Sequence, residues 1–122
     1  MKPCLALDEA TVRRRLGECL PHWTLADGQL YRAYRTEGWK GALMVVNAIG
    51  HLAEAAWHHP DIALGWGRVE VRLSTHDAKG ITDRDFALAQ RIEDLVQWQP
   101  SREDGPLSGT PDDPRYRYVL PD

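Results

Sequence analysis

The chain is short of the residues that most readily mark a protein's class. It has two cysteines, two methionines and one phenylalanine in 122 residues. Cys4 and Cys19 are too few for a disulfide framework, and no Cys-x-x-Cys pair offers a zinc spacing. No stretch approaches the roughly 20 apolar residues of a membrane span. Met1-Lys2-Pro3-Cys4 is not the apolar segment of a signal peptide. A soluble, cytoplasmic protein without a membrane partner is therefore expected. An excess of one charge is also lacking. Lys and Arg total 15 against 18 Asp and Glu, a net charge of −3, which argues against a broad nucleic-acid surface. The local run Arg13-Arg14-Arg15 reads as a solvated helix face. No glycine-rich segment follows a strand in the dinucleotide pattern. There is no Gly-x-Ser-x-Gly elbow for an activated serine, and Cys19 has no evident base beside it.

What is present fits one domain with a real core, and the chain is too short for two. Asp8 caps a first helix running to about Leu20, where Pro21 stops it. Ala26-Asp27-Gly28 is a turn signal between Trp23-Thr24-Leu25 and Leu30–Tyr34, which together read as a hairpin. Trp39 to Trp57 is the clearest helix. Ala42, Val45, Val46, Ile49, Leu52, Ala53 and Ala56 make its apolar face. Asn47, His51, Glu54 and His58 share another face at spacings of four, three and four. Pro60 should end that helix at His59. Asp61–Trp66 and Arg68–Ser74 alternate as strands, and Gly65 and Gly67 bend the chain around Trp66. Thr82 caps a last helix to about Trp98, with Phe86, Ala89, Ile92 and Val96 inward.

The order is helix, two strands, helix, two strands, helix. The expected fold class is α+β, a four-stranded antiparallel sheet with three helices on one face. Residues 1–98 make the domain. Residues 99–122 form an irregular tail, mobile from Pro100 to Pro114, in which Tyr116–Leu120 offers a short terminal strand for its own or a neighbouring subunit.

The chemistry concentrates between Glu54 and Asp85. Three of the five histidines, His58, His59 and His76, fall there, with carboxylates beside them and no cysteine. Histidine is the side chain that exchanges protons near neutral pH, so the cluster points to acid–base work on a small molecule. Each residue also has an ordinary structural role. Thr82-x-x-Asp85 resembles a helix capping box with Asp in place of Glu. Trp66 alone reads as core, and His58 and His59 can meet a helix dipole. His22 and His51 read as surface positions. A metal is not expected: His51, Glu54 and His58 lack the His-Glu-x-x-His spacing. Neighbouring His58 and His59 would also project about 100° apart on a helix.

The window as a whole resembles pterin-4a-carbinolamine dehydratase. Glu54, three residues, His58-His59-Pro60, five residues, Trp66, nine residues, His76, then Asp85 at a helix start match that family's pattern. Leu20-Pro21-x-Trp23, Asn47, Ala53-Glu54, Ser74-Thr75-His76 and Gly80-Ile81-Thr82 extend the likeness over about residues 8–97. The chain departs from the family in its scarcity of phenylalanine and in the tail beyond Trp98. The resemblance implies a hydro-lyase that dehydrates a 4a-hydroxytetrahydropterin to the quinonoid dihydropterin. That would recycle the cofactor of an aromatic amino-acid hydroxylase, itself a pathway partner. It implies catalytic His58, His59 and His76, with Glu54 and Asp85 supporting them. Substrate contacts would come from Trp23, Trp66, Ser74, Thr75 and Asp77. No metal or other cofactor is implied, since the pterin is the substrate. A homodimer or homotetramer is implied. The alternative on the same fold is a non-catalytic partner, a transcriptional dimerisation cofactor or an assembly factor.

Overall fold

The computed structural model describes residues 5–122. Cys4 and the reading of Met1-Lys2-Pro3-Cys4 lie outside the described residues. Helix α1 (Glu9–Cys19) is followed by strands β1 (Thr24–Ala26) and β2 (Gln29–Arg35). Helix α2 (Gly38–Ala56) precedes β3 (Asp61–Gly65) and β4 (Arg68–Leu73), and helix α3 (Asp83–Val96) closes the domain. The sheet is antiparallel, in the order β1-β2-β4-β3. This is the expected α+β architecture.

Local chemistry fixes the boundaries. Asp8 Oδ1 accepts the Thr11 amide at 2.7 Å and starts α1, as an N-cap carboxylate should. Ala26 pairs with Gln29, leaving Asp27 and Gly28 as the two loop residues, both at positive φ (53° and 73°). That is the twist-matched turn that an Asp-Gly dipeptide favours. Alternation then sorts the strand side chains. Leu30, Arg32 and Tyr34 of β2 stand opposite Leu73, Val71 and Val69 of β4, and all six are buried. Above them α2 packs Ala42, Val45, Ile49 and Ala53, and α3 packs Phe86, Ala89 and Ile92. On the opposite face Tyr31 donates to Glu70 at 2.6 Å and lies under Arg72. Arg15, from the basic run, pairs with Asp83 at 2.5 Å and covers Phe86, tying α1 to α3.

One feature departs from expectation. Helix α2 ends at Ala56, before Pro60 can act. His58 N–H bonds to Ala53 O and Trp57 N–H to Glu54 O, with Trp57 left-handed at φ 51°, ψ 46°. This is the Schellman arrangement, with tryptophan where glycine is usual. His58 therefore leaves the helical stripe shared by Asn47, His51 and Glu54.

The end of the tail docks on its own chain, one of the two options expected for Tyr116–Leu120. Strand β1 covers only Gln29–Tyr31 of β2. Beyond it, Leu120 N–H donates to Arg35 O and Glu37 N–H donates to Tyr118 O, both at 2.9 Å. Val119 forms an antiparallel bridge with Thr36 of the same chain. A Cβ on Gly41 would lie 2.6 Å from Tyr118 O, so the close approach requires glycine there. Asp122 takes two hydrogen bonds of 2.7 Å from the Arg32 guanidinium. Arg32 is 2% exposed and also bonds Glu93, at 2.9 and 3.1 Å. Burial alone would lower the Arg32 pKa, but the hydrogen bonds it donates to Asp122 and Glu93 reverse this, and the net shift is upward. Burial pushes the Glu93 carboxyl up, and hydrogen bonds from Arg32, Tyr34 and Trp23 outweigh it, so the net shift is downward. A buried charge in the helix-facing layer is thus matched on both sides.

Candidate active site

The turn at Trp57 carries His58 and His59 to one end of the β3–β4 hairpin. His76 arrives there from the loop after β4. Trp57, His58, His59, Ser74, His76 and Asp77 line a cleft of 210 Å³. The three histidines of the sequence motif are therefore neighbours on one wall system.

His58 is held from behind. Its Nε2 lies 2.6 Å from Asp85 Oδ1. Asp85 is fully buried, and its Oδ2 accepts the Thr82 amide at 2.9 Å and the Thr75 hydroxyl at 2.8 Å. Thr82 Oγ1 stands 2.7 Å from Thr75 Oγ1 and accepts the Arg84 amide at 3.2 Å. Because Thr75 spends its hydrogen on Asp85, Thr82 donates to Thr75. Two donors already converge on Asp85 Oδ2, so the carboxylate acts as an acceptor and His58 Nε2 carries the hydrogen. The ring's free atom is Nδ1. Asp85 is thus both capping-box residue and histidine holder; the two readings of Thr82-x-x-Asp85 describe one carboxylate with two oxygens.

His59 has its own carboxylate: Nε2 lies 2.6 Å from Glu54 Oε1 at the exposed surface. Its ring meets Trp57 edge-on, with centroids 5.0 Å apart. Trp57 is 71% exposed. In the sequence it marks only a helix end, because nothing local announces a left-handed tryptophan. His76 is exposed and carries no side-chain hydrogen bond among the described residues. Asp77 is exposed and stands 3.8 Å from Arg84. Ser74 accepts from Gln29 at 3.4 Å.

Three expected substrate contacts need correction. Trp23 is 2% exposed and its indole N–H donates to Glu93 at 2.9 Å, so it belongs to the Arg32 network in the core. Trp66 is 74% exposed, but it sits in the turn between Gly65 and Arg68, against Gly38. Gly65–Arg68 is the far end of the hairpin from Asp61–Arg72, beside which His59 stands. Thr75 is 2% exposed with its hydroxyl committed to Asp85 and Thr82; it acts through His58. Among the described residues, no three His, Cys, Asp or Glu side chains are grouped to hold a metal. His22 lies 4.0 Å from Asp122, outside the cleft. No helix among the described residues is long and apolar enough to cross a membrane.

A small α+β domain with two carboxylate-held imidazoles and a third histidine on one cleft has the equipment of a proton-transfer protein. The comparisons make the class specific. The sequence pattern of the family described as Pterin 4 alpha carbinolamine dehydratase matches residues 5–95. A protein of Aquifex aeolicus, provisionally named pterin-4-alpha-carbinolamine dehydratase, is 45% identical over 91 residues, covering 75% of this chain and 91% of its own. A Haloarcula marismortui protein, provisionally given the same name, is 43% identical over 89 residues, covering 73% and 94%. The crystal structure of a Brucella melitensis transcriptional coactivator/pterin dehydratase superposes with a TM-score of 0.67 at 25% identity, covering 74% of this chain and 97% of that one. The chain belongs to the pterin-4a-carbinolamine dehydratase family, a family of hydro-lyases. Residues 96–122 lie beyond the matched segment.

Proposed function

We propose that this protein removes water from a 4a-hydroxytetrahydropterin to give the quinonoid dihydropterin. The observation that carries the reading is the convergence of His58, His59 and His76 on one cleft, two of them backed by carboxylates at 2.6 Å. In a carbinolamine the lone pair of the adjacent ring nitrogen expels the hydroxyl. The departing oxygen takes a proton and a ring N–H gives one up. Both transfers suit imidazoles, each contributing about 10²–10⁴-fold. With Nε2 tied to Asp85, His58 exchanges its proton at Nδ1. His76, without a carboxylate, serves the second proton, and His59 orients the ring. No metal or other cofactor has a part in this scheme. The product would return to an aromatic amino-acid hydroxylase, the protein working in the cytoplasm as a homodimer or homotetramer.

The test is stopped-flow decay of 4a-hydroxytetrahydropterin made in situ by a purified phenylalanine hydroxylase. Acceleration that disappears in a His58→Ala/His76→Ala double variant supports the proposal. A folded protein that leaves the spontaneous rate unchanged refutes it.

A second role as a binding partner is favoured by one observation. Trp39, Leu43 and Met44 on α2 are exposed apolar residues, as is Trp66 beside Gly38. The Brucella melitensis relative is described as a coactivator as well as a dehydratase. A partner role would survive His58→Ala; a catalytic effect would not.

A further inference from the structure

The cleft does not end at His58. It opens into a groove of 690 Å³ between the end of α2 and the outer side of α3, sharing Trp57, His58 and Asp77 with the cleft. Leu52, Ala55 and Ala56 form one wall, and Ala87 and Leu88 the other. The walls are smooth, apolar and mostly alanine, so a flat body can lie between them. Arg84 and Arg91 flank the α3 wall. They are seven residues apart, with Ala87 and Leu88 between, so all four share one helical stripe. At about 1.5 Å per residue, Arg91 stands roughly 10 Å further along the groove than Arg84. Arg84 lies at the cleft end, 3.8 Å from Asp77. Arg91 is exposed and has no ion-pair or hydrogen-bond partner among the described residues.

We infer that this groove binds the side chain of the pterin and selects a long one: a flat, apolar spacer ending in a carboxylate that meets Arg91. The inference rests on the dehydratase reading and names the substrate class for it. His58 is bonded to Asp85, and Arg91 stands six residues, about 9 Å, further along α3, where a three-carbon polyol side chain has no charge to set against it. An aromatic spacer followed by an amino-acid carboxylate spans that distance. It would bury its ring against Ala55, Ala87 and Leu88 and set its charge opposite the arginine. Arginine suits the role because its planar fork pairs bidentately with a carboxylate.

Isothermal titration of the intact protein with two stable 7,8-dihydropterins tests this. One carries a p-aminobenzoylglutamate side chain, the other a dihydroxypropyl group. The expected result is at least fivefold tighter binding of the acidic ligand, with a preference that weakens as salt rises. Arg91→Ala should bring the two within twofold, and Ala87→Phe should obstruct the acidic ligand while sparing the short one. Equal affinities that ignore both substitutions overturn the groove assignment and leave the dehydratase reading standing. Binding of neither ligand by folded protein overturns both.

Discussion

Replacing Asp85 with asparagine tests how the site holds its principal histidine. The carboxylate receives three donors: His58 Nε2–H at 2.6 Å, the Thr75 hydroxyl at 2.8 Å and the Thr82 amide at 2.9 Å. Asparagine offers one oxygen and one NH₂, so one donor must face another. Two of the three converge on Oδ2, and the amide oxygen therefore stays with Thr75 and Thr82. Its NH₂ turns to His58, which must accept at Nε2 and move its proton to Nδ1. The atom left to serve the substrate is then a donor where it had been an acceptor. The expected kinetic loss is on the order of 10²-fold or more in turnover, the contribution of one positioned imidazole. The stability loss is about 1.5–3 kcal/mol, the worth of a hydrogen bond to a charged group. Stopped-flow decay of 4a-hydroxytetrahydropterin reads the first, urea unfolding the second, and ¹⁵N spectra of the imidazole the tautomer. Thr75→Val separates the effects: it removes one donor from Asp85 but leaves His58 on Oδ1, so it should weaken folding more than turnover. An Asp85→Asn protein with full activity and hydrogen still on Nε2 would refute the argument.

Other outcomes follow from the same contacts. His58→Ala and His76→Ala should each slow dehydration tenfold or more, on the order of 1.4 kcal/mol of barrier, with unfolding transitions unchanged in cooperativity. At position 57, glycine should be more stable than alanine by about 1 kcal/mol in urea, because the left-handed backbone penalises any Cβ. Asp122 and Glu93 both have lowered pKa values, Asp122 through its hydrogen bonds from Arg32 and Glu93 through Arg32, Tyr34 and Trp23 against its burial. Their stabilisation is present above the unfolded carboxylate range of about pH 4 and is lost as pH falls through the lower folded values. Arg32→Met should flatten that acid dependence in pH-resolved urea titrations. Asp122→Ala should cost about 3 kcal/mol near neutral pH, the low end for breaking a buried pair, since Asp122 is 31% exposed.

How legible each part was depends on the distance over which its cause acts. The apolar face of α2, the Asp27-Gly28 turn and the alternation of β4 are set by neighbours within a few residues, and their places followed from spacing. The grouping of His58, His59 and His76 followed from a motif with fixed intervals. Trp57 did not, because its conformation is dictated by helix-ending bonds to Ala53 and Glu54 and by no residue preference. Trp23 looked like a ring for stacking on a ligand, yet its partner is Glu93, 70 positions away. Arg32 sits in an alternating strand where a polar residue should face outward. Its inward position makes sense only with Glu93 and Asp122 in place. The docking of Tyr118–Leu120 was foreseen as one option for a terminal strand. The choice of its own β2 rested on Gly41 and on the shortness of β1, neither of which carries a local signature.

The docked tail has a consequence for the order of assembly. The hairpins β1–β2 and β3–β4 each close through two-residue turns, whereas Arg32 and Asp122 are 90 positions apart. Closing so long a loop costs more chain entropy than closing a turn, and contacts of that separation form slowly. The Arg35 side of β2 thus remains an open edge, able to pair with another chain, until the last strand segment arrives. Two amides mark the moment of sealing, Glu37 and Leu120. In pulsed hydrogen exchange during refolding they should gain protection after the amides of β4. In Gly41→Ala, where the added carbon meets Tyr118 O, they should not gain it at all.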